Sequence, residues 1–343
     1  MQAVPNEKVN DEEVSDEQFR SLLTAKEAEA LDEMKAKGPE LCEGFRDAFL
    51  ARFLFARKLD TDRALTLLRN HREWREKYLI DQFNVEEVAD MLQTGFVQWV
   101  PGTRDRQGRG VNFIFPAKFE LSFLQDCKKY LWFTYYMGDV IFDHSIDYMR
   151  EGCLLIQDFT NASFNDLVHM AGGGGNAEMK HLTRELQDHV PGRFPGVLLV
   201  NAPWYVRWLI RLVKASGIVK EKLIDRVRVV TLEELKEYVD EDNLLKELGG
   251  NLEFDHLEWL QKTMAAQPTP GEGRFMSLSP SVIQKRKEEA EMKRQQEEAS
   301  TSDEEEQGEQ QEKKKKQKKQ KRNKHKKKNK KKNKKKDAEE GSD

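Results

Sequence analysis

The chain has 343 residues, 38% of them hydrophobic and 35% charged, enough apolar material for one large core or two modest ones. No apolar run approaches the roughly eighteen residues a bilayer-spanning helix needs, and the acidic start "MQAVPNEKVNDEEVSDEQ" is expected to carry no secretory signal. The net charge of −3 hides a separation: residues 313–336 hold 18 Lys and Arg and no acid, which leaves 40 basic against 61 acidic groups elsewhere.

In chain order, Ser15 with Gln18 and Thr24 with Glu27 have capping-box spacing, which predicts a short helix followed by a longer one. Phe45, Phe49 and Phe53 form a third helical stripe, and Ala64, Leu68, His71, Trp74 and Tyr78 a fourth, so residues 12–79 read as a small helical bundle. The pattern then changes. "GVNFIF" (110–115), "CLLIQDF" (153–159), "VLLVNA" (197–202) and "RVRVV" (226–230) are short, apolar and rich in β-branched or aromatic residues, as strands are. Helix-patterned segments at 120–149 and 176–189 lie between them. Strands separated by helices imply crossovers and a largely parallel sheet, placed here at residues 80–262.

Within that region "APWYVRWLIRLV" (202–213) is apolar almost all round as a helix, with Arg207 and Arg211 one turn apart. Such a helix is buried in a core, covers a cavity or meets a membrane. After "QPTPGEGRF" (267–275) the globular signal stops, and residues 263–312 read as a linker with a solvated helix at 281–298. Residues 313–343 form a polybasic tail whose lysine block has no apolar residues to fold around, and are expected to be disordered.

Reactive chemistry is thinly represented. Cys42, Cys127 and Cys153 are widely spaced, and the histidines show no metal-ligand pattern, so no metal or other cofactor is expected. The glycine run at 172–175 lacks the spacing of a phosphate loop, and Asp158 has no histidine at a partner spacing. The chain therefore reads as a non-enzyme. The lysine block suits an anionic lipid surface, RNA or a nuclear import factor, and contains no aromatic residue for base stacking.

Five segments in order carry a resemblance: "FLARFLFARKLDTDRALTLLRNHREWREKY", "RDRQGRGVNFIF", "LLIQDFTNASF", "VPGRFPGVLLVNAP" and "NLLKELGGNLEFD". Together they resemble the CRAL-TRIO family of phosphatidylinositol-transfer, tocopherol-transfer and retinaldehyde-binding proteins over residues 12–258, roughly three quarters of the chain. The resemblance implies an α/β fold: a mostly parallel sheet with covering helices and an apolar pocket, preceded by a helical bundle. It implies a bound lipid or other hydrophobic ligand, and a mobile helix that closes the pocket.

On that basis the expected pocket lining is Phe113, Phe115, Phe133, Tyr136, Met137, Val140, Ile156, Phe159, Leu199, Tyr205, Trp208 and Leu212. The expected gate helix presents Trp204, Tyr205, Trp208, Leu209 and Leu212, whose aromatic bodies suit a membrane interface. A basic rim for phosphate or headgroup contacts is expected from Arg57, Lys58, Arg193, Lys214, Lys220, Lys222 and Arg226. Two positions depart from the phosphatidylinositol-transfer pattern: Gly192 stands where those members have an acid, and Leu223 where they have a threonine. The implied function is binding and intermembrane transfer of a hydrophobic molecule or phospholipid by a cytoplasmic, peripheral membrane protein. The alternative is a lipid-sensing scaffold that the tail directs to the nucleus or to RNA.

Overall fold

The computed structural model describes residues 14–81, 83–143, 145–170, 184–217 and 219–267, together with Gln284, Lys285, Glu288, Met292 and Gln295. Both expected capping boxes are present. Ser15 caps α1 (Asp16–Ser21) by accepting from the Gln18 amide while the Gln18 side chain accepts from the Ser15 amide. Thr24 and Glu27 do the same for α2 (Ala25–Lys37). The one-turn α3 (Pro39–Cys42) leads to α4 (Asp47–Ala56) and α5 (Thr61–Tyr78). Phe49 and Phe53 of α4 and Ala64 and Leu68 of α5 share a core with Leu31 and Met34 of α2.

After α6 (Ala89–Gln93) comes a strand that the sequence reading missed, β1 (Val97–Arg104). It contains Pro101 and Gly102, which argue locally against a strand. It tolerates them at the sheet edge, where its register against β2 (Gly110–Ile114) shifts between Trp99 and Arg104. The other four strands fall where expected: β2, β3 (Cys153–Asp158), β4 (Val197–Val200) and β5 (Val227–Val229). The sheet order is β1-β2-β3-β4-β5, antiparallel between β1 and β2 and parallel thereafter.

The expected helix at 120–149 is two helices, α7 (Cys127–Asp143) and α8 (Ile146–Glu151), because Ser145 caps the second through its hydroxyl. Then follow α9 (Phe164–Met170), α10 (184–189), α11 (Val206–Ser216), α12 (Glu221–Ile224), α13 (Leu232–Leu235) and α14 (His256–Ala266). Between α8 and β3, Gly152 has φ +84°, and a Cβ there would lie 2.2 Å from the Arg193 carbonyl oxygen, so only glycine fits. In a second unit, residues 284–343, the five described residues are helical and fall within the expected helix 281–298. The glycine run, most of the linker and the whole polybasic tail lie outside the described residues.

Strand alternation divides the sheet into two faces. On one, Val111, Phe113, Leu154, Ile156, Leu198 and Val200 pack against Leu235, Val239, Leu244 and Leu248. The other is covered by α7 and α8 at β1–β3 and by α9 and α11 at β4–β5. The α7–α8 layer is continuous with the helical bundle, since Phe19, Ala48, Ala51 and Phe55 share a core with Phe133, Tyr136, Phe142 and Tyr148. Two charged contacts cross the same seam. Arg52 of α4 meets Asp139 of α7 at 2.6 Å, both buried, and Arg150 of α8 donates twice to the Glu27 carboxylate at 2.7 and 2.9 Å.

His71 of α5 is fully enclosed. Its Nδ1–H donates to the His189 carbonyl oxygen at 2.8 Å, and its Nε2 accepts from Arg75, which also donates to the Tyr135 hydroxyl at 2.7 Å. Burial, reinforced by the Arg75 charge, holds His71 well below the ordinary histidine value, and burial lowers His256 as well. A histidine depressed in the folded state contributes stability that is complete above its unfolded pKa of about 6.5 and is lost as pH falls towards the folded value. Tm is therefore expected to drop between pH 7.5 and pH 5. His71→Gln, which keeps a donor and an acceptor, should make that slope shallower, and adding His256→Gln should flatten it further. An unchanged slope in the double variant assigns the pH dependence to other groups.

Candidate functional site

The two sheet faces differ in how tightly they are closed. Every apolar strand residue on the α13 side is buried. On the α11 side, Ile114, Leu155, Gln157, Val197, Val227 and Val229 remain partly accessible, although β3 is the central strand of the sheet. Incomplete burial at the middle of a covered sheet means open space in front of it. Leu199, Phe159 and Leu167 close one flank of that space with Val206 and Leu209 of α11.

α11 sits on this face by a narrow stripe. Val206 and Leu209 are buried, while Ile210 and Val213 are half-buried. The rest of its apolar arc points outward: Trp204 just ahead of the helix is 86% exposed, Trp208 52% and Leu212 40%. Phe164 of α9, 51% exposed, extends the patch by packing edge-on against Tyr205 at 5.0 Å. Arg207 and Arg211 lie on the exposed side of the same helix, and no described carboxylate pairs with either.

The two ends of α11 are held differently. At the entry, Asn201 donates to the Asp158 carboxylate at 2.8 Å, and the same oxygen accepts from the Thr160 amide and hydroxyl. Asp158 thus braces the end of β3 against the turn before α11. At the exit, Gly217 takes a left-handed conformation with open space around it, and Lys214 bridges Glu221 at 2.9 Å and Asp225 at 3.2 Å.

The twelve residues expected to line a pocket do not form one wall. Phe113, Phe115 and Ile156 face the opposite layer, because alternation turns them away from Leu199. Phe133, Tyr136, Met137 and Val140 lie in the α7 core shared with the bundle, where the Tyr136 hydroxyl donates to the Gln267 carbonyl oxygen at 3.0 Å. Phe159 and Leu199 lie under α11, with Tyr205 packed at the margin. Trp208 and Leu212 turn outward, since Val206 and Leu209 take the inward stripe. The sequence reading passed over Leu155, Gln157 and Asn112, which alternation from Val111 and Leu154 would have placed on the open face.

The seven expected rim cations also divide. Lys220 pairs with Asp188, Lys214 with the acids of α12 and its C-terminal turn, and Arg193 and Arg226 hold the carbonyl oxygens of Arg150 and Phe194. Among the described residues, no carboxylate pairs with Arg57, Lys58 or Lys222. Burial, with Arg63 nearby, lowers the Arg57 pKa from its ordinary value. Among the described residues, no group of three His, Cys, Asp or Glu side chains is placed to hold a metal ion, and no helix is long and apolar enough to cross a membrane. A separate open hollow of about 500 Å³ between Gln98 and residues 245–255 contains none of the expected site residues.

The model of the CRAL/TRIO domain matches residues 93–250, a span that takes in the whole sheet, α7 and α11. By that match residues 93–250 are a CRAL-TRIO domain. A CRAL-TRIO domain-containing protein of Dictyostelium discoideum is 26% identical over 254 residues, covering 72% of this chain and 95% of that protein. Clavesin-1 of Xenopus laevis is 28% identical over 247 residues, covering 69% of this chain and 70% of its own length. The human protein named alpha-tocopherol transfer protein-like is 28% identical over 248 residues, covering 71% and 70%. Among solved structures, that of Sfh5 aligns with 71% of this chain and 99% of its own, with TM-score 0.46 and 14% identity. The bundle α1–α5 lies ahead of the CRAL-TRIO span and is joined to it by the shared α4–α7–α8 core.

Proposed function

We propose that the chain binds one hydrophobic molecule or phospholipid against the open sheet face and exchanges it with membranes by movement of α11. The observation that carries this reading is the incomplete burial of the central strands beneath a helix that touches them through only a narrow stripe. Apolar surface left in such a space is stabilised by an apolar occupant at roughly 25 cal/mol per Å² before ordering costs. The CRAL/TRIO match over residues 93–250 and a relative named for tocopherol transfer support the same class of ligand.

In this mechanism α11 pivots about its braced entry at Asn201 and Asp158, and its exit at Gly217 supplies the freedom. Trp204, Trp208, Leu212 and Phe164 enter the interfacial layer, while Arg207 and Arg211 reach lipid phosphates. Arg57, Lys58 and Lys222 are available to add to that attraction. The polybasic tail would hold the protein at an anionic cytoplasmic surface, an attraction weakened by salt. No bond is made or broken in the cycle. A tail that instead engages RNA or an import factor would make the same domain a lipid-sensing scaffold.

The test is native mass spectrometry of the full chain purified from eukaryotic cells and then exposed to membrane lipid extract. A single stoichiometric lipid is the expected result. A protein that stays empty after that exposure would overturn the reading.

A further inference from the structure

We infer that Gly138 of α7 sets the width of the molecule the domain accepts. Its missing side chain leaves room for a ring system, where a larger residue would admit only a single acyl chain. This rests on the lipid-binding reading above and deepens it. After proline, glycine is the least favourable residue in a helix interior, yet Gly138 lies well inside the 17-residue α7. An interior helical glycine commonly makes room for a close neighbour, as Gly110 does for Tyr148 and Cys153 within the sheet. Gly138 has no such neighbour. Outside α7, a Cβ there would meet no atom of a described residue within 4 Å, and the residue is partly accessible. What the glycine preserves is the space itself.

That space belongs to the interior. No residue of α7 is exposed, and the helix packs against α4 at Asp139, α5 at Tyr135 and the end of α14 at Tyr136. Tyr130, Thr134 and Gly138, spaced four apart and so stacked along one side, are nevertheless all partly accessible. Burial raises the Tyr130 pKa against an opposing hydrogen bond from Thr134, as expected of a surface that is open without being bathed in bulk water. On one flank of this stripe Leu131 packs with Leu186 and Val190. On the other, Tyr130 borders the same apolar cluster as Ile114 of the open sheet face. The stripe thus opens toward the half-covered sheet from the α7 side. The Thr134 hydroxyl donates within the helix, to the Tyr130 carbonyl oxygen at 2.9 Å, so this wall selects by shape. A fused-ring hydrophobe can lay its flat face against the bare backbone at Gly138, in volume that an added side chain would fill.

The test follows the uptake of two intrinsically fluorescent probes by the full chain from phosphatidylcholine vesicles. Dehydroergosterol supplies fused rings, and trans-parinaric acid a straight acyl chain. The wild-type chain is expected to take up both. Gly138→Val and Gly138→Leu should weaken dehydroergosterol uptake about tenfold or more and change that of parinaric acid less than about twofold, with Gly138→Ala between. Gly138→Ala should also raise Tm by about 2–4 °C, since the helix gains a better residue and nothing is displaced. Equal effects on both probes, no effect on either, or a lowered Tm for Gly138→Ala would overturn the inference and leave the lipid-binding reading standing. Absence of dehydroergosterol uptake by the folded wild-type chain would overturn it too, and the mass-spectrometric result above then decides the lipid-binding reading by itself.

Discussion

Asp139→Ala is expected to destabilise the chain by about 3–5 kcal/mol, because it leaves the Arg52 guanidinium buried without its carboxylate. Arg52 lies between the Phe49 and Phe142 rings, its Cζ 5.7 Å from each centroid, and its Nε already lacks a partner among the described residues. Water cannot reach the charge without opening the seam between α4 and α7, so the loss should appear as a lower urea midpoint for the whole cooperative transition. Arg52→Met combined with Asp139→Leu should recover most of the loss, since apolar replacement of a buried pair is often close to neutral. A single-variant cost below about 1 kcal/mol would class the contact with exposed ion pairs, and the seam would then rest on apolar packing alone.

Trp208→Asp with Leu212→Asp is expected to abolish transfer between vesicles while leaving Tm nearly unchanged. Both side chains are substantially exposed, so the fold loses little contact by their replacement. At a membrane they would together contribute on the order of 3 kcal/mol, and their loss should weaken association with phosphatidylserine-containing vesicles roughly a hundredfold. Sedimentation of the protein with such vesicles measures this directly. Undiminished sedimentation and transfer would remove α11 from the exchange step and return it to a covering role.

The contrast between these two sites shows what was legible in the chain. The bundle helices were readable because their signals are local: Ser15 and Thr24 each find the cap partner three residues on. The other four strands, β2–β5, were readable from their composition. β1 was not, since Pro101 and Gly102 speak against a strand and only its edge position permits them. The α7–α8 break turned on one capping serine inside an apolar run.

The site was less legible for a physical reason. Hydrophobicity picked out Phe113 and Ile156 as readily as Leu199, yet which face each one lines depends on register across strands. Asn112 was overlooked because it is polar, although its pairing with Leu155 puts it on the same face. The expected basic rim divides for a tertiary reason. Arg193 and Arg226 hold carbonyl oxygens of Arg150 and Phe194, contacts that only tertiary folding creates.

The strict alternation along β2 and β3 also bears on how such a chain can diversify. Val111, Phe113, Leu154 and Ile156 belong to the layer packed against the C-terminal segment, while Asn112, Ile114, Leu155 and Gln157 belong to the other face. Neighbours in the gene are thus strangers in the fold. If the open face holds the ligand as proposed, a point change in one set would alter what that face accepts, and a change in the other how firmly the scaffold holds. On that reading, inheritance would vary ligand preference codon by codon without disturbing the layer behind it, and one scaffold would serve lineages with different cargo.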